Sequence, residues 1–426
     1  GVRSSLQDCM SEINECLNEK RRFRQILKSL ETLEVVRKSL ERLKKLLSSI
    51  EQSDNKGRAI LLERSALELI QLQFNAKYCQ HFLDEDEKSL IDEQEKLLLE
   101  ILNEYFLTTL AKKDSSDDSL ERSLRIYYTL DQCRLAEKIF RNETFNYMES
   151  IICDRNLHNY PDGLTGVYNE ILNFVSLKMK SLLSLTRGKS MKVKGYNFLF
   201  NSFWSAIEER LETNLSSIFA PAIPEDFYHR YKCTLEFLKR IEMIIDDAEL
   251  IQQFHQNEQY IRFHKRWNLP VYYLIRSQEI AMNLERTCEV NYDSVLAPVT
   301  NQIQVKVFLE IINCIAKCWS DGIYLDQLFQ NFLKITFKMV ARGIRWTNDV
   351  IKMITANNEP QNIDIYAFLT VLHHDIGILI LKFPQIEQLI TQKIAENARL
   401  KDKITKSTLT KCFESPRASF EKCKKD

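Results

Sequence analysis

The sequence predicts an all-α fold, and three observations carry that prediction. Only 9 of the 426 residues are Gly and 8 are Pro. Together they make up about 4% of the chain, against about 12% in an average globular protein. Strand-rich folds spend these residues on turns, and nucleotide-binding folds spend Gly on phosphate loops. The second observation is the recurrence of apolar residues at spacings of three and four, the period of one helix face. The third is length: 426 residues exceed one ordinary core and suit two or three domains or one elongated rod.

Residues 6–50 carry the clearest pattern. Leu6, Met10, Ile13, Leu17, Phe23, Leu27, Leu30, Leu33, Val36, Leu40, Leu43, Leu47 and Ile50 recur near 3–4 spacing with no Gly or Pro between them. Sustained spacing of this kind predicts the seam of a coiled coil or bundle. Lys20, Arg21, Arg22 and Arg24 interrupt it, where long basic side chains can bury their stems and keep their charges wet. A lone helix of this length leaves its seam uncovered. Phe23, Leu27, Leu30, Leu33, Leu40, Leu43 and Leu47 are therefore the candidate partner interface. The alternative is a fold-back onto the next helix, which the break at 53–57 (SDNKG) permits.

The following elements read in order. A second helix is expected over 58–83, an acidic turn at Asp84, and a third helix over 89–111. A polar loop at 114–118 leads to a helix capped by Asp118, with Glu121 as its capping-box partner and Leu124, Tyr128, Leu135 and Ile139 along it. Residues 159–163 (NYPDG) form a turn, and the basic stretch 186–195 is a linker and candidate domain boundary. A helix from Tyr196 buries Phe200, Phe203, Trp204, Ile207, Leu211, Leu215 and Ile218, and two prolines within 220–224 end it. Helices are expected over 225–250, 270–290, 298–319, 323–356 with a bend at Gly343, 363–383, and 384–409. The implied division is 1–52 (coiled-coil assembly helix), 53–190, 191–297 and 298–426 (three helical bundles, the last truncated). No fixed-period repeat is visible.

Charge and cysteine usage bound the function class. The formal net charge is zero, with 59 basic and 59 acidic residues, which argues against a general nucleic-acid binder. Charge is locally uneven. Residues 84–95 hold seven acids and one Lys, and residues 393–426 hold ten basic residues and five acids. These are solvated faces or patches for partners. Eleven scattered Cys in a chain without a visible secretory signal predict free thiols in a reducing compartment. No uninterrupted apolar run approaches the ~18 residues of a membrane span, so any membrane association is expected to be peripheral.

Catalytic patterns are weak. Gly188-Lys189-Ser190 imitates the end of a P-loop, but position 183, where the first Gly belongs, is Leu. Cys314 and Cys318 share a helix face and supply at most half a zinc site. His373-His374-Asp375 resembles part of a metal-dependent hydrolase site without the further ligands that chemistry needs. No cofactor is expected, and no catalytic or metal-binding residue is assigned. Within the stretch Trp267-Asn268-Leu269-Pro270, Asn268 suits a helix cap and Pro270 the first helical turn, with Trp267 packing back over the start of the helix.

That stretch also carries a resemblance. Residues 267–272 (WNLPVY) are similar to a signature of the subunit 2 family of the conserved oligomeric Golgi complex, a multisubunit vesicle tether. Companions occur in the same order: 127–137 (YYTLDQCRLAE), 196–202 (YNFLFNS), 224–228 (PEDFY) with Tyr231, 237–242 (FLKRIE), and 318–321 (CWSD) containing Trp319. They span about residues 70–350. The resemblance implies an elongated rod of consecutive helical bundles preceded by the end of an amino-terminal coiled coil, within a chain that extends further at both ends. It implies a non-enzymatic role in retrograde intra-Golgi vesicle capture at the cytoplasmic face of Golgi membranes. The implied partners are sibling subunits of the same lobe and, through the complex, fusion proteins, golgins and Rab GTPases. A subunit of a sister tether of the exocyst or Dsl1 type, or a helical metal-dependent hydrolase, is the alternative.

Overall fold

A computed structural model describes residues 2–50, 52–111, 117–187, 192–289, 302–355, 365–397 and 406–425, and all regular structure among them is helical. The chain groups into two compact units, Gly1–Leu215 with Phe237–Ile261, and Ser216–Glu236 with Arg262–Asp426. A linear division at 52, 190 and 297 does not contain this grouping.

The first unit holds α1 (Val2–Ile50), α2 (Asn55–Tyr78), α3 (Glu85–Ala111), α4 (Asp117–Thr129), α5 (Cys133–Glu149), α6 (Asp154–Asn159), α7 (Leu164–Phe174), α8 (Lys180–Thr186) and α9 (Ser205–Asn214). Wide π-helical turns lie at Val175–Met179 and Phe198–Trp204. The last part of α10 (Pro224–Ile245), α11 (Ala248–Gln256) and the start of α12 (Glu258–Arg266) complete it. The break expected at 53–57 is present, since α1 ends at Ile50, but α2 starts at Asn55, not at 58: the Asp54 carboxylate accepts the Gly57 N–H at 2.9 Å and caps it. Likewise α3 begins at Glu85, not at 89, because three acids in its first turn favour the positive end of the helix dipole.

Several expectations fail here for local reasons. Asp118 lies inside α4 and pairs with Arg122 at 3.3 Å instead of capping. The helix expected to run through Leu124 and Ile139 breaks at Asp131, whose φ of 56° is a left-handed conformation that Asp tolerates. Asp246, at φ 46°, divides α10 from α11 in the same way, and Asp247 then caps α11 through the Glu249 N–H at 2.9 Å. The helix expected from Tyr196 begins as the π turn at Phe198, with α9 following it. Arg187 and Lys192, both within the basic stretch, lie in the first unit, and Arg187 donates to the Ile245 carbonyl at 3.3 Å.

The second unit holds the first part of α10, the end of α12, α13 (Leu269–Cys288), α14 (Lys306–Cys318), α15 (Phe329–Thr355), α16 (Ile365–Glu396) and α17 (Lys406–Lys425). Gly343 does not break α15. A Cβ there would sit 2.4 Å from Ile311 Cδ1, so the residue is small to let α14 approach α15. Pro384 was expected to separate two helices, yet α16 runs through it. Phe383, Ile386 and Ile390 are buried on both sides of the proline, and the Phe383 ring packs 5.9 Å from Phe413 of α17. This packing outweighs the one hydrogen bond that proline removes. By length and composition α16 is also apolar enough to cross a membrane, although uninterrupted runs in it are short. Its face from Phe368 through Leu372, Ile376 and Leu379 is part of the core of this unit.

Candidate protein-docking surface

The candidate interface on α1 divides at about Leu33. Leu33, Leu40, Leu43 and Leu47 are buried, as are Leu62, Ala66, Leu69 and Leu72 of α2. The two helices run antiparallel. Lys28 lies over the Tyr78 ring at 5.7 Å, and Arg42 faces Glu68 at 3.5 Å. Arg37 reaches α3 and pairs with Glu87 at 2.7 Å. That guanidinium holds the Glu87 carboxyl below its ordinary range. The fold-back therefore uses up the carboxy-terminal half of the seam, and those four leucines are core. α2 ends at Tyr78, opposite Lys28, so the earlier part of α1 has no α2 neighbour. Phe23 is 69% exposed, Leu27 60% and Leu30 49%, and Met10, Ile13 and Leu17 are open as well.

A second open stripe was missed in the sequence. Ile60, Leu67 and Phe74 of α2 are exposed at seven-residue intervals, and Tyr78 extends them towards Lys28 of α1. The signal was present, because α2 carries more apolar residues than one face can hold. Residues 59, 62, 66, 69 and 72 form the buried stripe, and 60, 67 and 74 a separate one.

The signature residues lie elsewhere and play a different part. Asn268 caps α13, accepting the Val271 N–H at 3.3 Å, and Leu269 and Pro270 start the helix. Trp267 is buried, with Phe219, Tyr231 and Phe227 meeting its ring edge-on at 5.0, 5.1 and 5.4 Å. Tyr272 donates to the Ile323 carbonyl at 2.8 Å, tying the start of α13 to the turn after α14. In that turn Trp319 donates to Thr336 Oγ1 at 3.0 Å and packs on Tyr324 and Phe329. The stretches 267–272 and 318–321 thus meet in one unit. A comparable meeting joins 127–137 to 196–202. Glu137 accepts from Asn201 at 2.8 Å, and Ser202 donates to the Glu137 carbonyl at 2.7 Å.

Arg276, nearly sealed from solvent, pairs with Glu225 at 2.6 Å and Glu279 at 3.0 Å, and Glu279 with Lys317 at 2.6 Å. Hydrogen bonding from Lys317, then from Arg276, holds the Glu279 carboxyl below its ordinary value against the opposing effect of burial. This network links α10, α13 and α14.

The residues considered for chemistry have structural occupations. Burial pushes the Cys314 and Cys318 thiols up to about 12, so neither is a thiolate at neutral pH. Asp375 is fully buried, and its Oδ2 accepts the Gln304 and Val305 N–H groups at 2.7 Å each. It anchors the entry to α14, while His373 and His374 face outwards. Among the described residues no cluster of three or more His, Cys, Asp or Glu is placed to hold a metal. Gly188, Lys189 and Ser190 lie outside the described residues.

Comparison with known proteins adds an independent line. Residues 265–426 match the family model described as "COG complex component, COG2, C-terminal". The chain is 39% identical over 344 residues to "Conserved oligomeric Golgi complex subunit 2" of Drosophila melanogaster, covering 79% of this chain and 48% of the relative. The Homo sapiens protein of the same name is 28% identical over 379 residues, covering 85% of this chain and 50% of the relative. The Arabidopsis thaliana one is 25% identical over 313 residues, covering 71% and 41%. The chain thus spans about half the length of the curated relatives it matches. The family match extends to residue 426, well past the last motif read in the sequence. No solved structure matches.

Proposed function

The chain belongs to the family of conserved oligomeric Golgi complex subunit 2, and from that premise we propose that it is a non-enzymatic scaffold of the vesicle tether. It acts in retrograde intra-Golgi vesicle capture and Golgi organisation, at the cytoplasmic face of Golgi membranes, as a peripheral component. Its direct partners are sibling subunits of the same lobe. Fusion proteins, golgins and Rab GTPases are engaged through the assembled complex. The observation that carries this reading is the 39% identity sustained over 344 residues.

The open apolar faces of the α1–α2 hairpin support the place of contact. Phe23, Leu27 and Leu30 on α1, with Ile60, Leu67 and Phe74 on α2, are large, exposed and helically spaced. A partner helix laid along such faces buries them at about 25 cal/mol per Å² of apolar surface. The motif residues around Trp267 and Trp319 are the framework of the second unit, not its contacts. The test is co-expression of the chain with each of the other subunits, affinity capture, and cross-linking mass spectrometry. Co-purification with a sibling, with cross-links from Lys20 or Lys28, is the expected result. Failure to co-purify with every sibling overturns the reading.

A further inference from the structure

The free part of α1 carries a seam spaced symmetrically about Lys20 and, unlike the part from Leu33 to Ile50, that seam is exposed. Met10, Ile13, Leu17, Lys20, Phe23, Leu27 and Leu30 follow one another in steps of 3, 4, 3, 3, 4 and 3. The series reads the same from either end, with Lys20 at its centre. It is a heptad seam with a three-residue stammer, which overwinds a coiled coil locally without ending it. Reversed on itself, the seam sets Met10 level with Leu30, Ile13 with Leu27, and Leu17 with Phe23. All six side chains are exposed.

Charge inverts about the same centre. Residues 9–19 hold three acids, Glu12, Glu15 and Glu19, and no base. Residues 20–28 hold five bases, Lys20, Arg21, Arg22, Arg24 and Lys28, and no acid. Two copies aligned in parallel would stack basic block on basic block. Two copies aligned antiparallel place each acidic block beside the other copy's basic block, within the ~10 Å over which exposed charges act at moderate salt. Apolar spacing permits self-pairing, and charge selects its direction.

We propose that residues 10–30 of α1 dock antiparallel against the same segment of a second copy of this chain. The two Lys20 side chains meet at the centre and form the weakest layer. Their long stems let the ammonium groups swing to water. The pairing covers the apolar face of the free chain, and a sibling helix would compete for that face. The inference rests on the chain by itself, independently of the sibling reading.

Sedimentation equilibrium of the 426-residue chain alone tests it. The expected result is a dimer that dissociates as salt is raised. Replacing Arg21, Arg24 and Lys28 by Glu weakens it at least about tenfold. Adding Glu12→Lys, Glu15→Lys and Glu19→Lys to that variant restores the dimer, which a folding defect would not allow. Lys20→Leu tightens it. Orientation is read by mild oxidation and peptide mapping: Arg24→Cys links to Cys16 of the other copy. A monomer at all concentrations, a dimer indifferent to salt, or a prevailing Cys16–Cys16 link overturns the proposal. Capture of a sibling is measured separately, so either idea can fail without the other.

Discussion

Trp267 shows what the most distinctive residue of the chain is used for. Its ring is sealed, and its indole N–H has no hydrogen-bond acceptor among the described residues. The edge-on Phe219, Phe227 and Tyr231 rings are its surroundings, and weak N–H···π contacts suit that setting. Trp267→Ala should therefore cost about 3 kcal/mol through the cavity it leaves. Chemical denaturation measures it, and sibling binding by the folded fraction should be unchanged. A variant with unaltered stability that lost a partner would make the residue a contact. Glu279 gives a pH-dependent counterpart. Its carboxyl is held below the ordinary 4.5 by Lys317 and Arg276. That contribution is present above about pH 4.5 and is lost as pH falls through the lower folded-state value. Its size is modest because the pair is partly exposed to solvent. Glu279→Gln should flatten the acid limb of the stability curve, and an unchanged limb would remove the network from the account.

At the scale of elements, helix periodicity was legible and helix punctuation only in part. The seam of α1 and the cap at Asn268 follow from spacing and residue type. The left-handed Asp131 and Asp246 are ordinary residues in sequence, and only their surroundings select that conformation. Gly343 looks like a bend until Ile311 is seen against it. Gly343→Ala should destabilise by about 1–3 kcal/mol through overpacking, and Ile311→Val should recover part of the loss. No recovery would mean that the clash lies elsewhere. The apolar seam of α1 was legible as a stripe, but not the point at which α2 stops covering it, because that depends on where α2 ends. Leu33 and Leu40 changed to Asp would disrupt the hairpin itself, since both are buried. Leu27→Asp with Phe23→Asp is the cleaner probe: the melting temperature should hold, and co-purification with a sibling should fall at least tenfold if one buried apolar contact is lost per residue.

At the scale of the whole chain, the two units are assembled from interleaved segments, and this bears on where the protein can be cut. Residues 298–426 read as one bundle in the sequence, yet α14 and α15 are held to α13 by Lys317–Glu279 at 2.6 Å, Arg342–Glu285 at 2.9 Å, and the Tyr272 bond to the Ile323 carbonyl. α13 is in turn positioned through Trp267 against Phe219, Phe227 and Tyr231, some forty residues earlier. A fragment 298–426 lacks all of these contacts and exposes the face of α14 that carries Cys314, whose thiol lies 3.7 Å from the Ile280 carbonyl. A fragment 262–426 restores α13 but leaves Trp267 without its aromatic neighbours. A fragment 216–426 restores every one of them. Helical circular dichroism with a cooperative melt is therefore expected for 216–426, a broad and weakened melt for 262–426, and aggregation or non-cooperative melting for 298–426. Equal cooperativity in all three would mean that the bundle after residue 298 is self-sufficient, and that the contacts across α13 contribute little to holding the second unit together.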